Sequence, residues 1–72
     1  MKEILPAPVT GLLTQVIFNN GDLVEPGTVV ASIECMKMIY PIIVNNAGHI
    51  FYYAAEGELI AMDDTVAEVE LT

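Results

Sequence analysis

The sequence has no arginine, no tryptophan, one cysteine, one histidine and two lysines, Lys2 and Lys37. Each scarcity excludes something. Ten acidic residues against two lysines leave a net charge of −8. No basic patch is available to neutralise phosphates, so nucleic acid is excluded as a partner. The lone thiol, Cys35, has no mate for an internal disulfide, so a reducing, cytoplasmic setting is expected. The lone histidine, His49, has no nucleophile and acid beside it from which to build a triad. No apolar run approaches the roughly 18 residues of a membrane helix, and no direct membrane insertion is expected. The longest runs, Ile39 to Val44 and Ile50 to Ala55, have the length of strands. The opening Met1-Lys2-Glu3, followed by a proline-punctuated stretch, does not read as a signal peptide.

What is present is apolar and β-forming. Hydrophobic residues make up 54% of 72 residues, enough for one compact core and one domain spanning residues 1–72. A chain this short buries only about 60% of its unfolded surface, so its stability margin is thin. Val, Ile, Leu and Tyr dominate and favour strands. Turn signals fall at Asn19-Asn20-Gly21-Asp22, Pro26-Gly27, Asn45-Asn46-Ala47-Gly48, Glu56-Gly57 and Asp63-Asp64. Between them, strands are expected near 2–5, 11–18, 22–24, 29–35, 38–44, 48–54, 58–60 and 65–71. No stretch has capped 3.6-residue periodicity, and no helix is expected.

The chain also repeats itself. Asn20-Gly21-Asp22-Leu23-Val24 matches Glu56-Gly57-Glu58-Leu59-Ile60, an offset of 57 − 21 = 36. The same offset pairs Val29 with Thr65, Ala31 with Ala67, Ile33 with Val69 and Cys35 with Leu71. On the opposite face it pairs Val30 with Val66, Ser32 with Glu68 and Glu34 with Glu70. Ile33 and Val69 are expected to point inward, Glu34 and Glu70 outward. Gly11-Leu12-Leu13 matches Gly48-His49-Ile50 at an offset of 37, so the second half is one residue shorter between its glycines. A bulge would absorb the difference. Two halves of four short strands imply an all-β, flattened barrel or sandwich of two four-stranded antiparallel sheets with pseudo-two-fold symmetry. Such a body limits exposed edges.

The junction of the halves, Glu34-Cys35-Met36-Lys37-Met38, has no repeat counterpart and becomes a tight hairpin. Turns prefer Gly, Asn, Asp, Ser and Pro, and every other turn here uses them. This one places a lysine between two methionines. Lys37 could be an ordinary charged tip that discourages edge pairing, with Met36 and Met38 as gap fillers. A break in local rules inside a consistent sequence is also where function is expected.

With these residues in view, the chain resembles the biotinyl domains of biotin carboxyl carrier proteins. Glu34-Cys35-Met36-Lys37-Met38 matches the family's Ala-Met-Lys-Met hairpin, with Cys35 for the usual alanine. Ala7-Pro8-Val9-Thr10-Gly11, Asn20-Gly21-Asp22-Leu23-Val24, Gly27 and Ile42 fall where the family has like residues. The Ala-Pro pair usual before Gly48 is replaced by Asn45-Asn46. The strand after the hairpin, with Ile39, Tyr40 and Pro41, is more apolar than is common.

The resemblance implies a non-catalytic carrier component of a biotin-dependent carboxylase or decarboxylase. It implies Lys37 as the biotin attachment site, with Met36 and Met38 as flanking recognition residues. Biotin, joined to Lys37 as an amide, is the implied cofactor. The implied partners are a biotin protein ligase, a biotin carboxylase, and a carboxyltransferase or decarboxylase subunit. A lysine amine is ordinarily protonated at neutral pH, so its acylation needs a base and an activated acyl group from the ligase. Two alternatives remain: a lipoyl carrier, which usually shows Asp-Lys-Ala at the tip, and an unmodified biotinyl-like interaction module. Cys35 is expected to be structural and Asp63-Asp64 a polar turn. Tyr40, Tyr52 and Tyr53 are expected to pack with their hydroxyls at the rim. Lys2 is not expected to be modified.

Overall fold

A computed structural model describes all 72 residues. Eight strands run in order: β1 (Lys2–Pro6), β2 (Gly11–Val16), β3 (Leu23–Val24), β4 (Val29–Cys35), β5 (Met38–Ile43), β6 (Gly48–Tyr52), β7 (Leu59–Ile60) and β8 (Thr65–Leu71). They form two four-stranded sheets, β1-β8-β6-β3 and β5-β4-β2-β7, with every pairing antiparallel. The expected architecture and all eight strands are present, and no helix forms.

The two-fold relation reaches single backbone hydrogen bonds. Gly21 N donates to Ile50 O at 2.7 Å, and Gly57 N to Leu13 O at 2.8 Å. Gly27 N donates to Val44 O, and Asp63 N to Ala7 O. Gly11 and Gly48 occupy matching close approaches. A Cβ at either would run into the carbonyl oxygen of Glu34 or Glu70 respectively, so only glycine fits there.

Two expectations about strand detail are settled by bulges. Leu13 faces Ile33 and Gln15 faces Ser32, which leaves Thr14 as the extra residue of β2. Its hydroxyl donates to Ser32 O at 3.2 Å. The matching β6–β8 pair runs without a break. The length difference between halves is therefore one bulge, as the repeat required.

Val30 and Val66 correct the simple alternation. Both were placed on the outward face with Glu34 and Glu70, yet both are completely buried. The β4–β5 register shifts between Val29 and Ala31, and the β8 register with β1 shifts around Val66. A bulge on each central strand turns its valine inward. Ile33 and Val69 do point inward, with no exposure.

The core consists of 14 buried residues drawn from both sheets, among them Leu13, Val24, Val44, Ile50 and Ile60. Burial of this apolar surface is the main force holding the sheets together.

Strands β2 and β6 stop earlier than expected, at Val16 and Tyr52. Each half caps the other there. Val16 N donates to a Glu56 carboxylate oxygen at 3.1 Å, and Tyr52 N to Asn20 Oδ1 at 2.8 Å. Asn20 and Glu56 are repeat counterparts, so each cap is the image of the other. A side chain takes the place of a ladder partner, and the chain is free to turn.

Candidate functional site

The hairpin between β4 and β5 is as short as a hairpin can be. Cys35 faces Met38 across the ladder, and Met36 and Lys37 alone form the turn. Both have positive φ, 51° and 68°. Two left-handed residues in succession make a type I′ turn, whose twist matches that of the flanking strands. Such turns favour Asn-Gly, because glycine has no Cβ and the short side chain of asparagine hydrogen-bonds locally, whereas other residues cost about 1–2 kcal/mol each in this conformation. Met and Lys are therefore held here against local preference, and the β4–β5 ladder below supplies the restraint. Of the non-glycine residues only these two and Asp63 have positive φ.

The turn throws its side chains into solvent. Met36 is 91% exposed and Met38 61%. Lys37 is exposed, and its amine has no ion-pair partner in the chain. Lys2 differs in each respect. It lies within β1, opposite Glu70, and its amine pairs with Glu68 at 3.4 Å. Of the two lysines, only Lys37 combines a projecting turn with a free amine.

The chain ends lie away from this tip. The Glu3 carboxylate accepts the backbone N–H groups of Asn45 and Asn46, each at 3.1 Å, and both asparagine side-chain amides. This clamp fixes the start of β1 beside the far end of β5. Seven residues of extended chain separate Asn45 from Met38, roughly 23 Å. The asparagines that replace the usual Ala-Pro thus have a structural task.

The other residues singled out in the sequence do not gather at the hairpin. Cys35 is half-buried at the foot of the turn, opposite Met38. His49 is exposed on β6, with Nδ1 3.0 Å from Gly21 O. Asp63 and Asp64 form a turn bonded to the backbone at Ala7. Tyr53 donates from its hydroxyl to Glu68, and the Tyr40 hydroxyl lies 3.9 Å from Met38 Sδ. Tyr52 goes beyond a rim position. Its hydroxyl donates to Val30 O at 2.7 Å and accepts from Phe18 N at 3.2 Å. Burial raises its pKa, offset in part by the N–H groups of Phe18 and Ile17.

A feature beside the tip was not singled out from sequence. One strand position below the turn, a row crosses the outer face of the β5-β4-β2-β7 sheet: Ile39, Glu34, Leu12 and Leu59 in register. Ile39 is 57% exposed, Leu12 39% and Leu59 78%. Only cross-strand register reveals this row, because its members are scattered over 48 positions of sequence, 59 − 12 + 1.

The arrangement provides one accessible primary amine on a rigid projecting turn, with soft apolar flanks. No group of His, Cys, Asp or Glu in the chain is placed to hold a metal ion. A covalently attached acyl cofactor fits this donor set, because it needs an amine and no pocket.

Comparison with known proteins identifies the family. Residues 3–69 match the family described as "Biotin-requiring enzyme". The chain is 36% identical over 70 residues to an acetyl-CoA carboxylase of Dictyostelium discoideum, covering 97% of this chain and 3% of that protein. It superposes on the urea carboxylase of Kluyveromyces lactis with a TM-score of 0.89 and 27% identity, over 97% of this chain and 6% of that one. A single-chain, multi-domain long-chain acyl-CoA carboxylase shares the fold, with a TM-score of 0.88, 19% identity, and coverage of 99% and 7%. The chain thus spans only a small part of each of these proteins.

Proposed function

The chain is a biotinyl domain and belongs to the biotin-requiring enzyme family, and from that premise we propose that it carries biotin on Lys37 as the mobile carrier of a carboxylase or decarboxylase. The observation that carries the reading is the strained I′ turn, which holds the one free lysine amine clear of the body. When attached, biotin supplies a ureido nitrogen that accepts a carboxyl group and gives it up again.

The residues of the chain bind, present and orient. Lys37 Nζ forms an amide with the biotin carboxyl group in the active site of a separate ligase. Nothing in the chain accepts a proton from Nζ, so the base belongs to that ligase. Met36 and Met38 provide unbranched, polarizable flanks that adapt to several partner surfaces. The ladder below the turn fixes the direction in which the arm leaves. The chain ends lie far from the tip, so a tether at either end leaves it free to visit two active sites. Tethering then replaces diffusion by a high effective concentration at a biotin carboxylase and a carboxyltransferase or decarboxylase. Chemistry resides in those partners, and the carrier presents its cofactor. A cytoplasmic setting, consistent with the unpaired thiol of Cys35, belongs to the same proposal.

The test uses a biotin ligase with ATP and biotin. Intact-mass analysis is expected to show one biotin on the wild type and none on Lys37→Ala. An unmodified wild type, or one that takes lipoate instead, overturns the reading.

A further inference from the structure

The two sheets act as controls for one another, because two-fold counterparts hold matching register positions and differ mainly in side chain. Beneath the hairpin lies the row Leu59, Leu12, Glu34 and Ile39. Its counterpart on the other sheet is Leu23, His49, Glu70 and Lys2, also in register. Leu and Glu are kept at two of the positions. At the other two, the row near Lys37 has Leu12 and Ile39 where the distant row has His49 and Lys2. All four are outward-facing strand positions, so the fold does not demand an apolar residue at any of them. The sheet that carries the modifiable lysine has apolar residues at these two positions, and the other sheet has polar ones.

The reach of the side chain identifies what covers it. A lysine side chain extends about 6 Å from its Cα. Ile39 lies two residues from Lys37, roughly 7 Å along the strand. An enzyme that acts on Nζ itself must bring the mouth of its active site close to the turn, and its surface then overhangs the row. An enzyme that acts at the far end of a loaded arm works from further out and has less need of it. Charge fits a protein partner as well, since Glu34 has no cation of this chain in reach and the net charge is −8.

We infer that the row Leu59–Leu12–Glu34–Ile39 is the docking surface for the ligase that loads Lys37. The ligase seats an apolar patch there, with a basic group facing Glu34, and approaches from this sheet face only. The inference rests on the proposed biotin attachment and adds the direction and chemistry of recognition.

The test exchanges counterparts. Leu12→His with Ile39→Lys gives the row near the tip the side chains of the distant row. His49→Leu with Lys2→Ile makes the reverse exchange. Each new residue type already occupies the equivalent outward position, so both proteins are expected to melt near the wild type. A single variant, Leu59→Ser at a highly exposed position, provides a further probe with little risk to folding.

Biotin incorporation by a biotin ligase is measured as kcat/KM for each full-length chain. The first variant is expected to fall about tenfold or more, as loss of a buried aliphatic contact does. Leu59→Ser is expected to fall less and the reverse exchange to stay within about twofold. Equal rates for wild type and the first variant overturn the docking row and leave biotin attachment standing. Equal losses in both exchanges also overturn it, because approach would not be one-sided. A first variant that loads normally but is carboxylated slowly assigns the row to the carboxylase and overturns the ligase assignment. A wild type that accepts no biotin overturns the function itself.

Discussion

The Tyr52 hydroxyl spans the two halves, donating to Val30 O in β4 and accepting from Phe18 N after β2. Burial is the main cause of its raised pKa. A group whose pKa is raised on folding binds its proton more tightly in the folded state. Its contribution is therefore fully present below the ordinary tyrosine value of 10.0 and is lost as pH rises through the folded value. Thermal unfolding followed from pH 8 to 11 is expected to show falling stability above about pH 10. Tyr52→Phe is expected to cost about 1 kcal/mol at neutral pH and to flatten that alkaline fall. Gly11 imposes a different limit at residue scale. Gly11→Ala places a methyl group against the Glu34 carbonyl. Backbone cannot yield as a flexible side chain can, so a loss of about 1–3 kcal/mol is expected in denaturant melts.

Among the elements, the β4–β5 hairpin is where stability and function conflict. Replacing Met36-Lys37 by Asn-Gly supplies the residues a I′ turn prefers. Relief of left-handed strain at two positions is expected to raise stability by about 1–3 kcal/mol. For a domain of this size that is about 4–8 °C in melting temperature per kcal/mol. The same variant has no amine at the tip and is expected to take no biotin. A double variant no more stable than the wild type would show that the turn is not strained.

The hairpin was legible in sequence because it breaks turn chemistry in the only segment without a repeat counterpart. The bulge at Thr14 was legible because one half is a residue longer. The bulges at Val30 and Val66 were not, because both halves carry them and the repeat shows no difference. The cross-caps of Asn20 and Glu56 were also hidden, since they join residues 32 and 40 positions apart in the chain. Even so, both are polar residues at the same repeat position, which is the signal that could have revealed them.

At the scale of the whole molecule, the tip and the chain ends are separated along a body 35 Å long. The Glu3 clamp on Asn45 and Asn46 fixes one end of that separation, and the β4–β5 ladder fixes the other. The fold was readable from the repeat, and the resemblance to the family from the Met-Lys-Met hairpin at its junction. The docking row was not, because it exists only in cross-strand register. The central claim is that the fold singles out one amine for biotin. The most direct measurement is peptide mapping by mass spectrometry after exhaustive reaction with biotin ligase, ATP and biotin. The account predicts biotin on the peptide containing Lys37 and none on the peptide containing Lys2. Biotin on Lys2, or on neither lysine, would contradict it.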